Sequence, residues 1–166
     1  MFKKFDAKED VTGSQQLKSS EHMEELLPKK QNFKSIKCKN HLELIADVSG
    51  RVLFFKPRDM QYLPTLRVLH RFPHILPRQQ VDKGAIKFVL SGAQIMCPGL
   101  TSPGARLLDD VDKEQAVAVH AEGKQHALAI GVMKMTAEEI RTVNKGTAIE
   151  NVHCLCDGLW HLETVA

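Results

Sequence analysis

The chain has 166 residues, 43% of them hydrophobic, and 23 Lys and Arg against 20 Asp and Glu for a formal net charge of +3. That length buries one modest core or two small ones, so two units of about 75 to 90 residues fit it. Its apolar runs fall well short of the ~18 residues a membrane-crossing helix needs, and MFKKFDAKED has no apolar stretch of the signal-peptide kind, so no membrane segment and a cytosolic setting are expected.

In chain order, residues 2–16 are polar, with little periodicity beyond Phe2 and Phe5. Ser20 is placed to cap a short helix carrying Met23, Leu26 and Leu27, which Pro28 stops. So short a helix holds only by packing on a sheet. Residues 33–38, 42–47 and 51–56 read as three strands, the last two joined at Ser49 and Gly50, which makes a small antiparallel sheet. With so little helix to cover it, this sheet is expected to be the less stable part of the molecule. Pro64 starts a helix that turns Leu66, Leu69 and Phe72 toward the sheet, and Pro73 and Pro77 then punctuate the chain. A boundary near Leu76 divides it into units of residues 1–75 and 76–166.

The second unit opens with VDKGAIKFVLSGAQIMCPGLTSPGA, residues 81–105. Asp82 N-caps a helix whose apolar positions are Ile86, Val89 and Leu90, and Gly92 stands where a left-handed C-cap is usual. Residues 93–97 read as a short strand. Two turns follow, at Pro98 and Gly99 and at Pro103 and Gly104, keeping the backbone between them exposed. Residues 116–122 and 126–134 form a hairpin around Gly123 and Lys124. In its return strand Leu128, Ile130 and Val132 share one face and Ala127, Ala129 and Gly131 the other, a face small enough for another backbone to approach closely. Thr136 and Glu139 make a capping box for a helix that carries Ile140 and Val143 and ends at Gly146. Residues 147–154 and 159–162 supply the closing strands, and the fold class is α+β.

No catalytic motif is present: no Gly-rich phosphate loop, no His-Glu-x-x-His, no Gly-x-Ser-x-Gly and no Cys-x-x-Cys. No catalytic residue, cofactor or metal is therefore assigned. His153, Cys154, Cys156 and His161 are soft ligands by type, but Cys-x-Cys is tighter than structural zinc spacing, and in a strand the two thiols point the same way as ordinary core residues. Cys97 before Pro98 reads as a packed strand residue, with a reactive thiol as the alternative if a cation lowers its pKa. At this length Cys38, Cys97, Cys154 and Cys156 do not form a disulfide framework. The sole Trp, Trp160, reads as a plug at the end of the second unit.

Gly92, Ala93, Ile95, Met96, Pro98 and Gly99 fill a Gly-Ala-x-hydrophobic-Met-x-Pro-Gly run, and at this stretch the sequence resembles a PUA domain, a small RNA-binding pseudo-barrel. MFKKFD, PTLRVLHRFP from Pro64, the block above, AEGKQHALAIGVMKM from Ala121 and DGLWH from Asp157 occur in the order seen in the malignant T-cell-amplified-sequence family of translation factors, which the chain resembles over most of its length. The resemblance implies a non-catalytic, RNA-binding factor. Such a factor pairs with the density-regulated protein, binds small ribosomal subunit RNA, reaches transfer RNA indirectly through that partner, and acts in re-initiation, noncanonical initiation and subunit recycling. It also implies that residues 1–75 meet the partner and the ribosome and that residues 76–166 meet RNA. One departure stands out: between Gln16 and Pro28 this chain is shorter than the family by about a helix's worth of residues.

Charge agrees with an RNA face on one side of the second unit. Residues 1–75 carry 14 basic and 9 acidic side chains, residues 76–108 carry 4 and 1, and residues 109–166 carry 5 and 10. Phosphate attraction then favours the side of Lys83, Lys87 and Arg106, together with the turn residues Gly92, Ala93, Met96, Pro98 and Gly99. Phe54, Phe55, Phe72 and Phe88 all lie in apolar patterns expected to be core, so recognition by backbone and shape is expected rather than base stacking. Two other classes stay open: an interaction protein that never touches RNA, and an accessory PUA domain of RNA-modification machinery.

Overall fold

The computed structural model describes residues 25–28 and 31–165, in which two sheets organise the chain. Ser20 and Met23 of the expected first helix, and most of the shortened segment, lie outside the described residues; Leu26 and Leu27 are buried. The first sheet is antiparallel, with the order β1 (Lys34–Lys37), β2 (Glu43–Ala46), β3 (Val52–Lys56), β4 (Leu63–Pro64). The sequence reading has no counterpart for β4. Pro64 belongs to it rather than to the helix, and it sits on the sheet's edge, where the missing N–H is tolerated. Thr65 is the N-cap of α1 (Leu66–Arg71), its hydroxyl accepting the Val68 N–H, and Leu66 and Leu69 are buried as the spacing requires.

The β2–β3 turn is built on a nearly buried carboxylate. Asp47 accepts from the Ser49 N–H at 2.8 Å, the Ser49 hydroxyl at 2.6 Å, the Arg51 N–H at 3.1 Å and the Arg51 Nε at 3.0 Å. Burial by itself pushes this carboxyl up, and the four hydrogen bonds hold it below the ordinary range. Gly50 completes the turn at φ +85°.

The second sheet has five strands in the order β5 (Arg78–Val81), β7 (Ala116–Ala121), β8 (Ala129–Met133), β9 (Thr147–Cys154), β6 (Ile95–Met96). β5 and β7 are parallel and the other pairs antiparallel. Its edge strands are joined by a helical turn. Pro98 occupies the first turn of α3 (Pro98–Thr101), where its missing N–H costs nothing, and the Asp82 N–H bonds the Gly99 carbonyl at 3.1 Å. The turn expected at Pro98 and Gly99 is thus a helix, whereas the one at Pro103 and Gly104 is a turn, with Gly104 at φ +92°. The expected strand of residues 93–97 is reduced to two residues.

Ahead of α3, a 3-10 turn (Lys83–Ala85) runs into α2 (Ile86–Leu90), and Asp82 caps it by accepting the Ala85 N–H at 3.0 Å. The capping box of Thr136 and Glu139 opens α4 (Ala137–Val143), with Ile140 buried. Val143 is exposed, because the helix ends there with Asn144 in the left-handed region. Gly131 lies where β9 comes close: a Cβ on it would run into the Ile149 side chain and the Glu150 carbonyl. The close approach expected of this small face is therefore internal.

Two cores result. One lies inside the five-stranded sheet and includes Val81, Val89, Ile95, Leu100, Val117, Val119, Met133, Ile140 and Ile149. The other contains Ile45, Phe54, Phe55, Leu66, Leu69 and Phe72 together with Ala116, Ala118, Ala127 and Ile130, so the first sheet is packed on the outer face of the second. Both faces of β8 are buried for this reason. Leu128 and Ile130, expected on one face, join different cores because Leu128 precedes the strand.

The chain then returns to the first sheet. Residues 159–162 are not a closing strand: α5 (Gly158–His161) is capped by Asp157, which accepts the Trp160 N–H at 2.7 Å. Trp160 is not a barrel plug either. The Arg67 guanidinium lies 4.6 Å from its ring centroid and donates to its carbonyl at 2.7 Å, and the His70 ring is 5.6 Å away. Farther on, the Val165 N–H donates to the Gly50 carbonyl at 2.8 Å.

Candidate nucleic-acid interface

Helix α2 ends in a Schellman closure that explains Gly92. At φ +82° its N–H bonds the Val89 carbonyl at 3.0 Å, and the Ala93 N–H bonds the Phe88 carbonyl at 3.0 Å. The amide of Asn151 on β9 donates to the carbonyls of Val89 at 3.0 Å and Ala93 at 3.1 Å, while the Asn151 N–H donates to Gln94 Oε1 at 2.9 Å. These bonds lock α2 and the start of β6 onto the sheet.

Between α2, β6 and α3 runs an open groove of about 1150 Å³ with mostly apolar walls. Of the residues singled out in the sequence, Lys83, Lys87, Ala93, Met96, Pro98 and Gly99 line it. Gly92 does not; it is exposed beside it and serves the helix closure. Arg106 does not either. It pairs with Gln80 by two backbone bonds of 2.9 and 2.8 Å, which places it beside β5 rather than on the groove wall.

The largest departure from the sequence reading is Phe88. It lines the groove with 55% of its surface exposed, and Met96 on the same groove is 47% exposed, whereas Phe54, Phe55 and Phe72 are buried as expected. The apolar period of α2 turns Val89 inward and leaves Ile86 and Leu90 half-buried; Phe88, next in sequence to Val89, falls on the outer side. Position on a helix of only five residues depends on what its neighbours cover, which composition does not reveal.

The soft-ligand cluster is dispersed. His153 is buried and its Nδ1 donates to Asp157 Oδ2 at 2.6 Å, while His161 Nδ1 donates to the Asp157 carbonyl at 2.7 Å. Cys154 is buried, and its thiol is pushed up first by burial and then by the Asp157 charge. Cys156 does not point with it: β9 stops at Cys154, and Cys156 is exposed at φ +85°. Among the described residues no group of three or more His, Cys, Asp or Glu is placed to hold a metal ion. Cys97 is fully buried, its Sγ 3.5 Å from Met135 Sδ and 3.4 Å from the Lys145 carbonyl, and burial pushes its thiol up. No helix among the described residues is long and apolar enough to cross a membrane.

The sequence patterns of two domain families match the chain: a Pre-PUA-like domain over residues 8–73 and a PUA domain over residues 77–155. Malignant T-cell-amplified sequence 2 of Homo sapiens is 54% identical over 181 residues, with 99% of each chain covered, and malignant T-cell-amplified sequence 1-B of Xenopus laevis is 53% identical over the same length and coverage. These alignments are longer than the 166 residues here, so the relatives hold residues that this chain lacks. Among solved structures, a hypothetical protein of the archaeon Pyrococcus horikoshii superposes with a TM-score of 0.78 at 25% identity, covering 97% of this chain and 96% of that one. An α+β chain built of a Pre-PUA-like domain and a PUA domain, and more than half identical to these two relatives from end to end, belongs to the malignant T-cell-amplified sequence family.

Proposed function

We propose that this protein is a non-catalytic RNA-binding translation factor that acts on the small ribosomal subunit together with the density-regulated protein. Its roles are re-initiation, noncanonical initiation and post-termination recycling of subunits, and its compartment is the cytoplasm, where those events occur. Residues 76–166 meet ribosomal RNA, residues 1–75 meet the partner, and transfer RNA is reached through that partner.

The observation that carries the RNA part is the convergence of Lys83, Lys87, Ala93, Met96, Pro98 and Gly99 on one groove of the PUA domain. Two exposed lysines beside an apolar trough supply phosphate attraction that any RNA backbone satisfies. The domain's acidic residues after 108 are far more numerous than its basic ones, so the groove side is the part of this domain that attracts a polyanion.

Sedimentation of the tagged full chain with purified small subunits tests this. Lys83→Glu with Lys87→Glu reverses both groove charges and should remove the protein from the subunit fraction while partner binding persists. Arg106→Glu, off the groove, should leave most of the association in place. Co-sedimentation of the double variant at wild-type levels would contradict the assignment.

A further inference from the structure

Two histidines from opposite sides of the seam between the sheets stand side by side. His70 lies in the last turn of α1, one turn after the buried Leu66, so it leaves the helix on the face that packs on the first core. His126 lies in the connection from β7 to β8, directly before Ala127, which belongs to the same core. The centroids of the two rings are 5.0 Å apart and their planes are inclined at 41°.

That separation is the one two imidazoles adopt on a shared ion. A metal–nitrogen bond of about 2.0–2.1 Å puts each ring centroid about 3.2 Å from the ion, and two such rings at a tetrahedral angle lie about 5.2 Å apart. The tautomer is fixed as well. His70 Nε2–H donates to the Ala127 carbonyl at 2.8 Å, which leaves Nδ1 with the ring's lone pair, and a backbone carbonyl behind a histidine is a common way of orienting a ligating ring. Burial, aided by the charges of His126, His153 and Arg67, holds His70 below the ordinary 6.5, so the ring is neutral and able to ligate near pH 7. Arg67 does not occupy the space between the rings' nitrogens and an ion: its guanidinium covers the Trp160 ring and donates to the Trp160 carbonyl at 2.7 Å. His126 is exposed, so water reaches the remaining coordination positions.

We propose that His70 and His126 are the two protein ligands of a site for a divalent transition-metal ion of the imidazole-seeking class, zinc or copper, with water completing the shell. Two protein ligands make a weak, exchangeable site and not a structural zinc centre, in keeping with the absence, among the described residues, of a group of three or more His, Cys, Asp or Glu placed to hold a metal ion. One ligand comes from α1 and the other from the β7–β8 connection, so a bound ion clips the first sheet to the second. The site is independent of the RNA reading, since neither histidine lines the groove.

Trp160, the sole tryptophan, has the His70 ring 5.6 Å from its own and reports on the site directly. Titration of the full chain with Cu²⁺ at about pH 7.5, where unperturbed imidazole is neutral, should quench Trp160 emission to saturation at one ion per chain, and chelation should restore it. Zn²⁺ should compete with the copper and raise the melting temperature as it saturates, because the ion binds the closed seam and not the unfolded chain. His126→Ala, at an exposed position, should melt as the wild type does without metal but bind copper at least about ten-fold more weakly and lose the zinc-dependent rise. His74→Ala removes an exposed histidine outside the pair and should change neither reading. Copper quenching at the wild-type midpoint in His126→Ala, or a wild-type melting temperature indifferent to zinc, would overturn the site.

Discussion

Gly50 is the residue on which the most depends for its size. It sits at φ +85° in the turn anchored by Asp47, and its carbonyl accepts the Val165 N–H. A Cβ there would collide with the Val165 carbonyl, so the position tolerates neither the backbone strain nor the volume of any other residue. Gly50→Ala should cost about 1–3 kcal/mol, the usual scale for a non-glycine residue forced into that region, and should release the chain end from the first sheet. Chemical denaturation checks the first part and hydrogen exchange at Val165 the second. Gly92, also at positive φ, meets nothing where its Cβ would be, so its constraint is conformational alone.

Among the elements, α5 is small but joins distant parts. Its Trp160 packs on the first core, 93 positions from Arg67, whose guanidinium both covers the ring and donates to its carbonyl. The first sheet, expected to be the less stable part, shares its core with Leu66 and Leu69 of α1, with Ala116, Ala118 and Ile130 of the second sheet and with Ala127 just before β8, and Leu159 and Trp160 of α5 pack against that core. Trp160→Ala should therefore cost about 1–3 kcal/mol, less than for a fully buried ring, and should lower amide protection in β2 and β3 and in β8 and β9 together. Loss confined to the first sheet would mean that the two sheets open independently.

For the whole molecule, the seam between the sheets gathers histidines. The rings of His70 and His126 are 5.0 Å apart, the His70 Nε2–H donates to the Ala127 carbonyl at 2.8 Å, and His120 Nε2 is buried without a hydrogen-bond partner. Burial is the main cause that pushes both His70 and His120 below the ordinary 6.5; His126, His153 and Arg67 add to it for His70, and Arg78, His70 and His126 for His120. A base with a depressed folded pKa binds protons more readily when unfolded, so the stability these histidines allow is complete above about 6.5 and declines as pH falls through and below it. Asp157 acts on a lower limb. Burial pushes its carboxyl up, but His153 and the Trp160 and Cys154 N–H groups outweigh that and hold it down, so its contribution persists until pH falls below the usual 3.8. Melting temperature should thus drop between pH 7 and 5, and His70→Asn with His120→Asn should flatten that drop. An unchanged slope in the double variant would assign the drop elsewhere.

How much of this was legible beforehand follows the range of the forces involved. Local chemistry was readable from neighbours in sequence: the Asp82 and Thr136 caps, the turn at Ser49 and Gly50, the left-handed Gly92, three of the four strands of the first sheet and the hairpin of β7 and β8 depend on residues a few positions apart. So were the family blocks, and with them the groove residues Lys83, Lys87, Met96, Pro98 and Gly99, because a run of small and turn-forming residues is a sequence property. The exposure of Phe88, the helical form of residues 158–161, the place of Trp160 and the removal of Arg106 from the groove were not. Each depends on which surface another part of the chain covers: α2 is too short for its own period to choose between Phe88 and Val89, and Trp160 is partly covered by Arg67 and His70, which no local pattern connects to it. Sequence by itself determined which segments turn, cap and alternate; only tertiary packing decided which apolar side chains were left over, because burial belongs to the pair of surfaces and not to either one.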